Sequence, residues 1–209
     1  MKRLLIATTN PAKLKEYRLL LHGHALELVS LRDLHIEADA PETGATFIEN
    51  ARLKAAFYFA RADIPTLADD GGLEVDALGG APGVHSHRWL GDIGAGTSGD
   101  RLLAEEVIRR MAGIETGCRN ARMRAAAVLI HTRDGLTCEH VAEAALEGVI
   151  ADHCHANMRP GFPYRAVLYL PARGCYLAEL SEAEEARLSQ RRVLVEKLAP
   201  HLERLAAQR

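Results

Sequence analysis

Short apolar runs alternate with helical stripes of apolar residues along the first part of the chain. Residues 2–7 form an apolar run that predicts a buried strand, and the spacing in residues 12–22 predicts a helix. Asn10 and Pro11 stand between these segments, and their residue types favour the N-cap and the first position of a helix. The N-terminus therefore predicts a strand, a tight turn and a helix in immediate succession.

The same two patterns continue through the middle of the chain. A second strand is predicted at residues 25–30, and a helix is predicted at residues 46–62. The further predicted elements are extended pieces at residues 66–69 and 73–75 around a Gly71-Gly72 break, a helix at residues 100–111, and strands at residues 122–132, 136–150 and 164–170. Strands that alternate with helices predict an α/β fold with a mixed sheet.

The C-terminal part is predicted to be helical from Ser181 to the end of the sequence. Ser181 and Glu184 have the spacing of a capping box, which marks a helix start. One stripe of the helix carries Leu194, Leu198, Leu202 and Leu205. This stripe predicts that the last helix packs against the core.

Composition and charge change the picture only slightly. The chain has 209 residues, of which 48% are hydrophobic, and a formal net charge of −2. A chain of this size buries about 70% of its unfolded surface, so its core can be stable without the support of disulfides or metal ions. We therefore expect one domain over residues 1–209. The near-neutral charge predicts no nucleic-acid or membrane partner. The apolar run at the N-terminus is too short for a signal peptide or a membrane span, and we expect a cytoplasmic protein.

Cysteine and histidine spacing does not favour a metal site. Cys118, Cys138, Cys154 and Cys175 are far apart and include no CxxC pair, which predicts free thiols. On strands, His85 and His87 would share one face, and so would His153 and His155. Because no further ligands stand at metal-site spacing, we favour a surface or cleft lining for the first pair and an exposed strand edge for the second. Their role stays open.

Three segments have residues suited to phosphate chemistry. In the first, the helix start at residues 8–13 offers unpaired N–H groups and Lys13 adds a full positive charge. In the second, Glu42 precedes a helix on which Asn50 and Lys54 share a face; such a polar face is usually solvated. In the third, Asp69 and Asp70 stand at a predicted strand end before two glycines, which suits Mg²⁺ and the activation of water.

These segments read TTNPAK, ETGATFIENARLKA and ADDGGLEVDALGGAPGV, in that order. Together they resemble the Ham1/inosine triphosphate pyrophosphatase family of house-cleaning nucleotide hydrolases. The resemblance implies a long central mixed sheet flanked by helices, two lobes with the active site in the cleft between them, and a homodimer. It also implies Mg²⁺-dependent cleavage of a nucleoside triphosphate, typically a deaminated purine, into a monophosphate and pyrophosphate. Mn²⁺ is the alternative metal.

The resemblance also implies roles for individual residues. The turn from Thr8 through Thr9 to Lys13 would wrap the triphosphate, with Asn10 and Lys13 in contact with it. Glu42 and Asp70 resemble the family's metal-binding acids, and Asp70 is similar to its general base. Lys54 resembles a lysine that faces the phosphates. The remaining positions that correspond to the family's substrate-binding residues are Gly71, Phe162, Tyr164, Gln190 and Arg191.

The C-terminal third departs from the family pattern. Where the family has Gly-Phe-Gly-Tyr-Asp, residues 161–165 read Gly-Phe-Pro-Tyr-Arg, and Arg165 replaces a carboxylate. A family lysine falls at Glu185, a histidine falls at Gln190, and a serine falls at Gly71. Arg165 and Arg187 are candidates to replace the lost lysine's charge. The preferred base and sugar are therefore the least determined features.

Three functions follow from these residues. The first is a nucleoside triphosphate pyrophosphatase that acts on inosine or xanthosine triphosphate. The second is a hydrolase of the same fold with a changed nucleotide specificity, which the replacements at Arg165, Glu185 and Gln190 suggest. The third is a nucleotide-binding protein with little turnover.

Overall fold

The computed structural model describes residues 1–91 and 96–207. The strands in this part of the chain are β1 (Lys2–Ile6), β2 (Leu26–Ser30), β3 (Thr66–Val75), β4 (Asn120–Arg133), β5 (Leu136–Ile150), β6 (Leu168–Leu170) and β7 (Cys175–Tyr176). The α-helices are α1 (Pro11–Leu20), α2 (Phe47–Ala62), α3 (Thr97–Arg110), α4 (Glu182–Leu188) and α5 (Gln190–Ala207). Most of these elements lie within a few residues of their predicted positions.

The strands form one mixed sheet in the order β2-β1-β3-β4-β5-β6-β7. β1 is parallel to both β2 and β3, with Leu4 opposite Leu28 and Ile6 opposite Leu67. β6 is antiparallel to β5 and to β7. The predicted α/β class with a mixed sheet is confirmed.

The described residues divide into two compact units. The first unit consists of the described residues in the segments Met1–Asp70, Ala125–Ala144 and Gln190–Arg209. The second unit consists of those in Gly71–Arg124 and Ala145–Ser189. Each unit has its own hydrophobic core. The expected position of the active site in a cleft stays a prediction.

The core of the first unit joins β1, α1 and α5. It includes Leu4, Ile6, Tyr17, Leu194, Leu198, Leu202 and Leu205. The four leucines of α5 are at most 2% exposed, which confirms the predicted stripe. Burial of each leucine contributes about 2 kcal/mol, so α5 is firmly attached to this unit.

The core of the second unit joins the far half of β3 to α3. It includes Leu73, Val75, Leu103, Val107, Met123, Ile150 and Leu168. The apolar positions of α3 thus pack against strands, as expected for an amphipathic helix.

β3 is continuous, so the predicted break at Gly71-Gly72 is wrong. Asp69 and Asp70 accordingly lie in the middle of a strand and not at its end. Gly72 has a different purpose: a Cβ at this position would lie 1.9 Å from Ser86 Oγ. That hydroxyl oxygen accepts a hydrogen bond from the Leu73 amide at 3.1 Å. Glycine is needed at position 72 because the segment around Ser86 lies too close to leave room for a side chain. Such a close contact occurs beside strands as well as in turns.

The predicted single C-terminal helix is two helices. Ser181 and Glu184 form the expected capping box at the start of α4. Ser189 then adopts an extended conformation, with φ −61° and ψ 141°, and α5 begins at the next residue. Residues 164–170 also differ from the predicted strand, because Pro163–Ala166 form a 3₁₀ turn before β6.

Neither histidine pair lies on a strand, so the prediction of an exposed strand edge at His153 and His155 is wrong. His85 ends a 3₁₀ turn, Gly83–His85, and His153 and His155 lie in the loop after β5. The Tyr176 hydroxyl is 3.2 Å from His153 Nε2. The four cysteines are free. Within residues 1–91 and 96–207, no helix is both long and apolar enough to cross a membrane.

Candidate active site

The turn after β1 has the predicted geometry of a capped helix start. Asn10 Oδ1 accepts hydrogen bonds from the amides of Ala12, at 2.9 Å, and Lys13, at 3.4 Å. The Asn10 amide donates to Thr8 Oγ1 at 3.2 Å, and Thr9 is exposed. The positive end of α1 therefore stands directly after β1, where it favours an anion.

Asp70 and Glu42 converge on a single positive charge. The Lys54 ammonium lies 2.9 Å from Asp70 Oδ1 and 2.5 Å from Glu42 Oε1. Lys54 is on α2, Asp70 is on β3 and Glu42 is in the loop before α2. The two acids that the resemblance implies for metal binding thus face one point, close enough to share one cation.

Asn50 holds this arrangement together. Its Oδ1 accepts a hydrogen bond from the Gly44 amide at 2.8 Å, and its Nδ2 donates to Asp70 Oδ2 at 3.2 Å. Asn50 is fully buried, so the expectation of a solvated polar face is wrong at this residue. A Cβ on Gly44 would lie 2.9 Å from Asn50 Oδ1, which explains the glycine.

Opposite charges meet at the Glu42 and Asp70 site. Both carboxylates contact the Lys54 ammonium. Burial lowers the pKa of Lys54, but the Asp70 and Glu42 carboxylates more than offset this effect and raise it above its usual value. Lys54 therefore stays charged between the two acids.

This donor set fits Mg²⁺ that is bound together with a phosphate ligand. Mg²⁺ is typically held by one or two carboxylates, with substrate phosphates and water completing its shell. Glu42 and Asp70 supply two carboxylates. No group of three or more His, Cys, Asp or Glu side chains suited to a metal ion occurs in residues 1–91 and 96–207. Glu42 and Asp70 are thus the residues that could hold such an ion.

Asp69 belongs to a different cluster from its neighbour. Its Oδ2 lies 3.3 Å from the Lys13 ammonium and 3.0 Å from Arg191 Nη2. Arg191 Nη1 lies 3.1 Å from Glu16 Oε2. Burial raises the pKa of Asp69, but the Lys13 and Arg191 charges outweigh this effect and lower it to about 2. The expectation that the adjacent aspartates form one metal site is therefore wrong for Asp69.

Arg165 and Glu185 form a buried ion pair in the second unit. Arg165 Nη2 lies 2.6 Å from Glu185 Oε1, and the Arg159 guanidinium also contacts Glu185. Arg165 covers the Phe162 ring, with its guanidinium carbon 3.5 Å from the ring centroid. The two residues that depart from the family pattern thus pair with each other. Arg187 is exposed.

The other predicted substrate residues are placed as follows. The Tyr164 hydroxyl is buried and donates to the Ser86 carbonyl. Gly71 is partly exposed in β3. Gln190 and Arg191 are buried at the start of α5. Substrate contact by Phe162, Tyr164, Gly71, Gln190 and Arg191 stays a prediction.

The motifs undervalued Asn50, which belongs to the site, and missed Glu16, which lies outside it and contacts Arg191. Asn50 lies four residues before Lys54, and this spacing on α2 was the signal that could have placed it in the site. Glu16 stands three residues after Lys13, but no sequence signal pairs it with Arg191, which is far away along the chain.

Known proteins resemble this chain over nearly its whole length. The family model described as the Ham1 family matches residues 4–201. A dITP/XTP pyrophosphatase of Geobacillus kaustophilus is 40% identical over 95% of this chain and 93% of its own length. A dITP/XTP pyrophosphatase of Methylococcus capsulatus is 38% identical over 98% of both chains. The structure of a HAM1 protein from Coxiella burnetii is similar with a TM-score of 0.84 and 28% identity, covering 98% of this chain and 100% of the other.

Proposed function

The chain belongs to the Ham1 family, and on this premise we propose that it hydrolyses deaminated purine nucleoside triphosphates to a nucleoside monophosphate and pyrophosphate. Its role would be to remove such nucleotides from the precursor pool. The observation that carries the proposal is that Glu42 and Asp70 face the same point. Glu42 Oε1 lies 2.5 Å and Asp70 Oδ1 lies 2.9 Å from the Lys54 ammonium at that point. Relatives that are 38–40% identical have the name dITP/XTP pyrophosphatase, which supports this substrate class.

Triphosphate binding would use the charges of the first unit. A triphosphate carries several negative charges and requires cations and backbone donors. The N-terminus of α1 supplies the partial positive charge of a helix start, and Lys13 stands on its first turn. Lys54 adds a second ammonium beside the acids.

Glu42 and Asp70 would hold Mg²⁺ or Mn²⁺, which when bound neutralises phosphate charge and favours ionisation of water. Asp70 is also the candidate general base, because a carboxylate can accept a proton from the attacking water. Its Oδ2 is fixed by Asn50 and its Oδ1 by Lys54, so the carboxylate is held in one orientation. Pyrophosphate leaves with more charge on its oxygens, and Lys54 would stabilise that charge in the transition state.

The Arg165–Glu185 pair favours a second candidate, a hydrolase of the same fold with a changed base preference. Two guanidiniums contact the Glu185 carboxylate, and Arg165 covers Phe162. If these residues border the base, arginine donors would favour an acceptor such as a keto oxygen. The expectations of a cytoplasmic homodimer without nucleic-acid partners stay predictions.

The test is a substrate panel with pure protein and Mg²⁺. Pyrophosphate release from dITP, XTP, dUTP and the standard triphosphates would be compared by kcat/KM. We expect dITP and XTP to exceed dATP and dGTP by about 100-fold or more, the discrimination that a hydrogen-bonded base pocket can provide. A different preferred base supports the second candidate, and nucleotide binding without pyrophosphate from any substrate contradicts both.

A further inference from the structure

Asp69 connects two positive side chains that are far apart in the sequence. Its Oδ2 lies 3.3 Å from Lys13 Nζ, 3.0 Å from Arg191 Nε and 3.0 Å from Arg191 Nη2. Lys13 stands on the first turn of α1, and Arg191 is the second residue of α5. One carboxylate oxygen thus joins the helix start after β1 to the start of α5.

The Asp69 cluster brings opposite charges together in a buried place. Asp69 and Glu16 are its acids, and Lys13 and Arg191 are its bases. The side chains of Asp69, Lys13 and Arg191 are at most 8% exposed, so these charges interact with little screening by water. Asp69 is therefore held by two cationic side chains, Lys13 and Arg191.

We propose that Asp69 is a positioning residue, which holds the Lys13 ammonium in place for the phosphates of the substrate. An ammonium has three donors, and the described contact with Asp69 uses one of them. The others stay available to phosphate oxygens beside the N-terminus of α1. This inference rests on the proposed function, because it takes Lys13 to be a phosphate ligand.

Loss of the Asp69 charge would disturb Lys13 directly. Without that charge, the ammonium of Lys13 and the guanidinium of Arg191 would repel each other in a buried site. Lys13 would move away or lose its proton, and its contact with phosphate would weaken. Asp70, on the opposite face of β3, would keep its contacts with Lys54 and Asn50.

The experiment measures the affinity of inorganic triphosphate by calorimetry, which does not depend on turnover. We expect Asp69→Asn and Lys13→Gln each to raise Kd by about 10- to 100-fold, the effect of losing one charge-assisted hydrogen bond. If Asp69 acts through Lys13, the double variant is no weaker than either single variant. Steady-state kinetics with dITP should show KM raised in Asp69→Asn and kcat within about threefold of the original value.

Glu16→Gln is the matched control, because Glu16 contributes the other negative charge of the cluster through Arg191. Thermal unfolding should show that it lowers stability, while Kd for triphosphate stays within about twofold. Additive losses in the double variant, or an equal loss of affinity in Glu16→Gln, would overturn the proposal. If Asp69→Asn does not fold, the triphosphate affinity of Lys13→Gln is the remaining test. An unchanged Kd overturns the proposal, and a raised Kd supports it. Normal triphosphate binding without turnover of any nucleotide would contradict the proposed function and leave this inference standing.

Discussion

Asp69 and Asp70 are neighbours in the sequence, yet their side chains have different partners because successive residues of a strand point to opposite faces. Asp70 meets Lys54 and Asn50 of α2. Asp69 meets Lys13 of α1 and Arg191 of α5. A pair of acids that looks like one ligand set in the sequence is therefore two sets in the structure.

Asp70→Asn tests the assignment of the general base. Asparagine has the shape of aspartate but cannot accept the proton, so we expect kcat for dITP to fall by about 100- to 10,000-fold. Nucleotide binding, measured by calorimetry, should change far less. Asp134→Asn is the control, since Asp134 is exposed and its positive φ of 52° suits asparagine. An Asp70→Asn protein with more than about a tenth of normal kcat would contradict the role of Asp70 as general base.

The residues of the site were predictable where local spacing places them. Lys13 follows a capped helix start, and Asn50 and Lys54 are one helical turn apart. The convergence of Glu42 with Asp70 was predicted only through the family resemblance. The Arg191 contact with Asp69 could not be predicted, because it depends on how α5 packs within the first unit. No local sequence pattern indicates that contact.

At the scale of elements, β3 shows why the glycine pair was misinterpreted. Glycine in a sequence favours a turn, but it also permits close approach inside a strand. Gly72 is such a case, because the Ser86 hydroxyl occupies the space beside it. The sequence analysis also missed the break between α4 and α5. The helical pattern of apolar residues continues across Ser189, and only the backbone of that residue is extended.

Gly72→Ala is expected to destabilise the protein. The added methyl group would lie 1.9 Å from Ser86 Oγ and 2.8 Å from the Gly83 carbonyl oxygen, so the chain around Ser86 must shift. Overpacking of this kind costs about 1–3 kcal/mol in the free energy of unfolding, measured by urea denaturation. Gly117→Ala is the control, because no atom lies within 4 Å of a Cβ at that position. Equal stability of the two variants would show that the Gly72 contact is unimportant.

Three histidines join β4, β5 and α5 in the first unit. His131 Nε2 lies 3.2 Å from His140 Nε2, and the His140 and His201 rings stack with centroids 3.5 Å apart. Burial lowers the pKa of His140, as do the charges of His201, His131 and Arg204, while Glu139 opposes them. Burial, Arg204 and His131 also lower the pKa of His201. The folded protein therefore favours the neutral imidazoles of His140 and His201.

Acidification should weaken the first unit through these histidines. Because the pKa values of His140 and His201 are lower in the folded state, the unfolded chain takes up protons first as the pH falls below about 6.5, and stability decreases. We expect Tm to be lower at about pH 5.5 than at about pH 7.5, and this difference to shrink in His140→Gln. His22→Gln, at an exposed turn, is the control. A pH dependence that is unchanged in His140→Gln would contradict this account.

At the scale of the whole molecule, the net charge of −2 conceals a local organisation of charge. Asp69 pairs with Lys13 and Arg191, whereas Glu42 and Asp70 both contact Lys54. Composition predicted the size class. It could not predict these pairings, because the contact of Glu42 with Lys54 arises only when the loop before α2 folds against β3.

The central claim is that Glu42 and Asp70 together hold a divalent cation for phosphate cleavage. The most direct test follows pyrophosphate release from dITP against Mg²⁺ concentration, for the unchanged protein and for Glu42→Gln. We expect activity to require Mg²⁺ and to vanish with a chelator, and Glu42→Gln to need about 10- to 100-fold more Mg²⁺ for half of its maximal rate. Full activity in the presence of a chelator, or an identical Mg²⁺ dependence in both proteins, would contradict the claim.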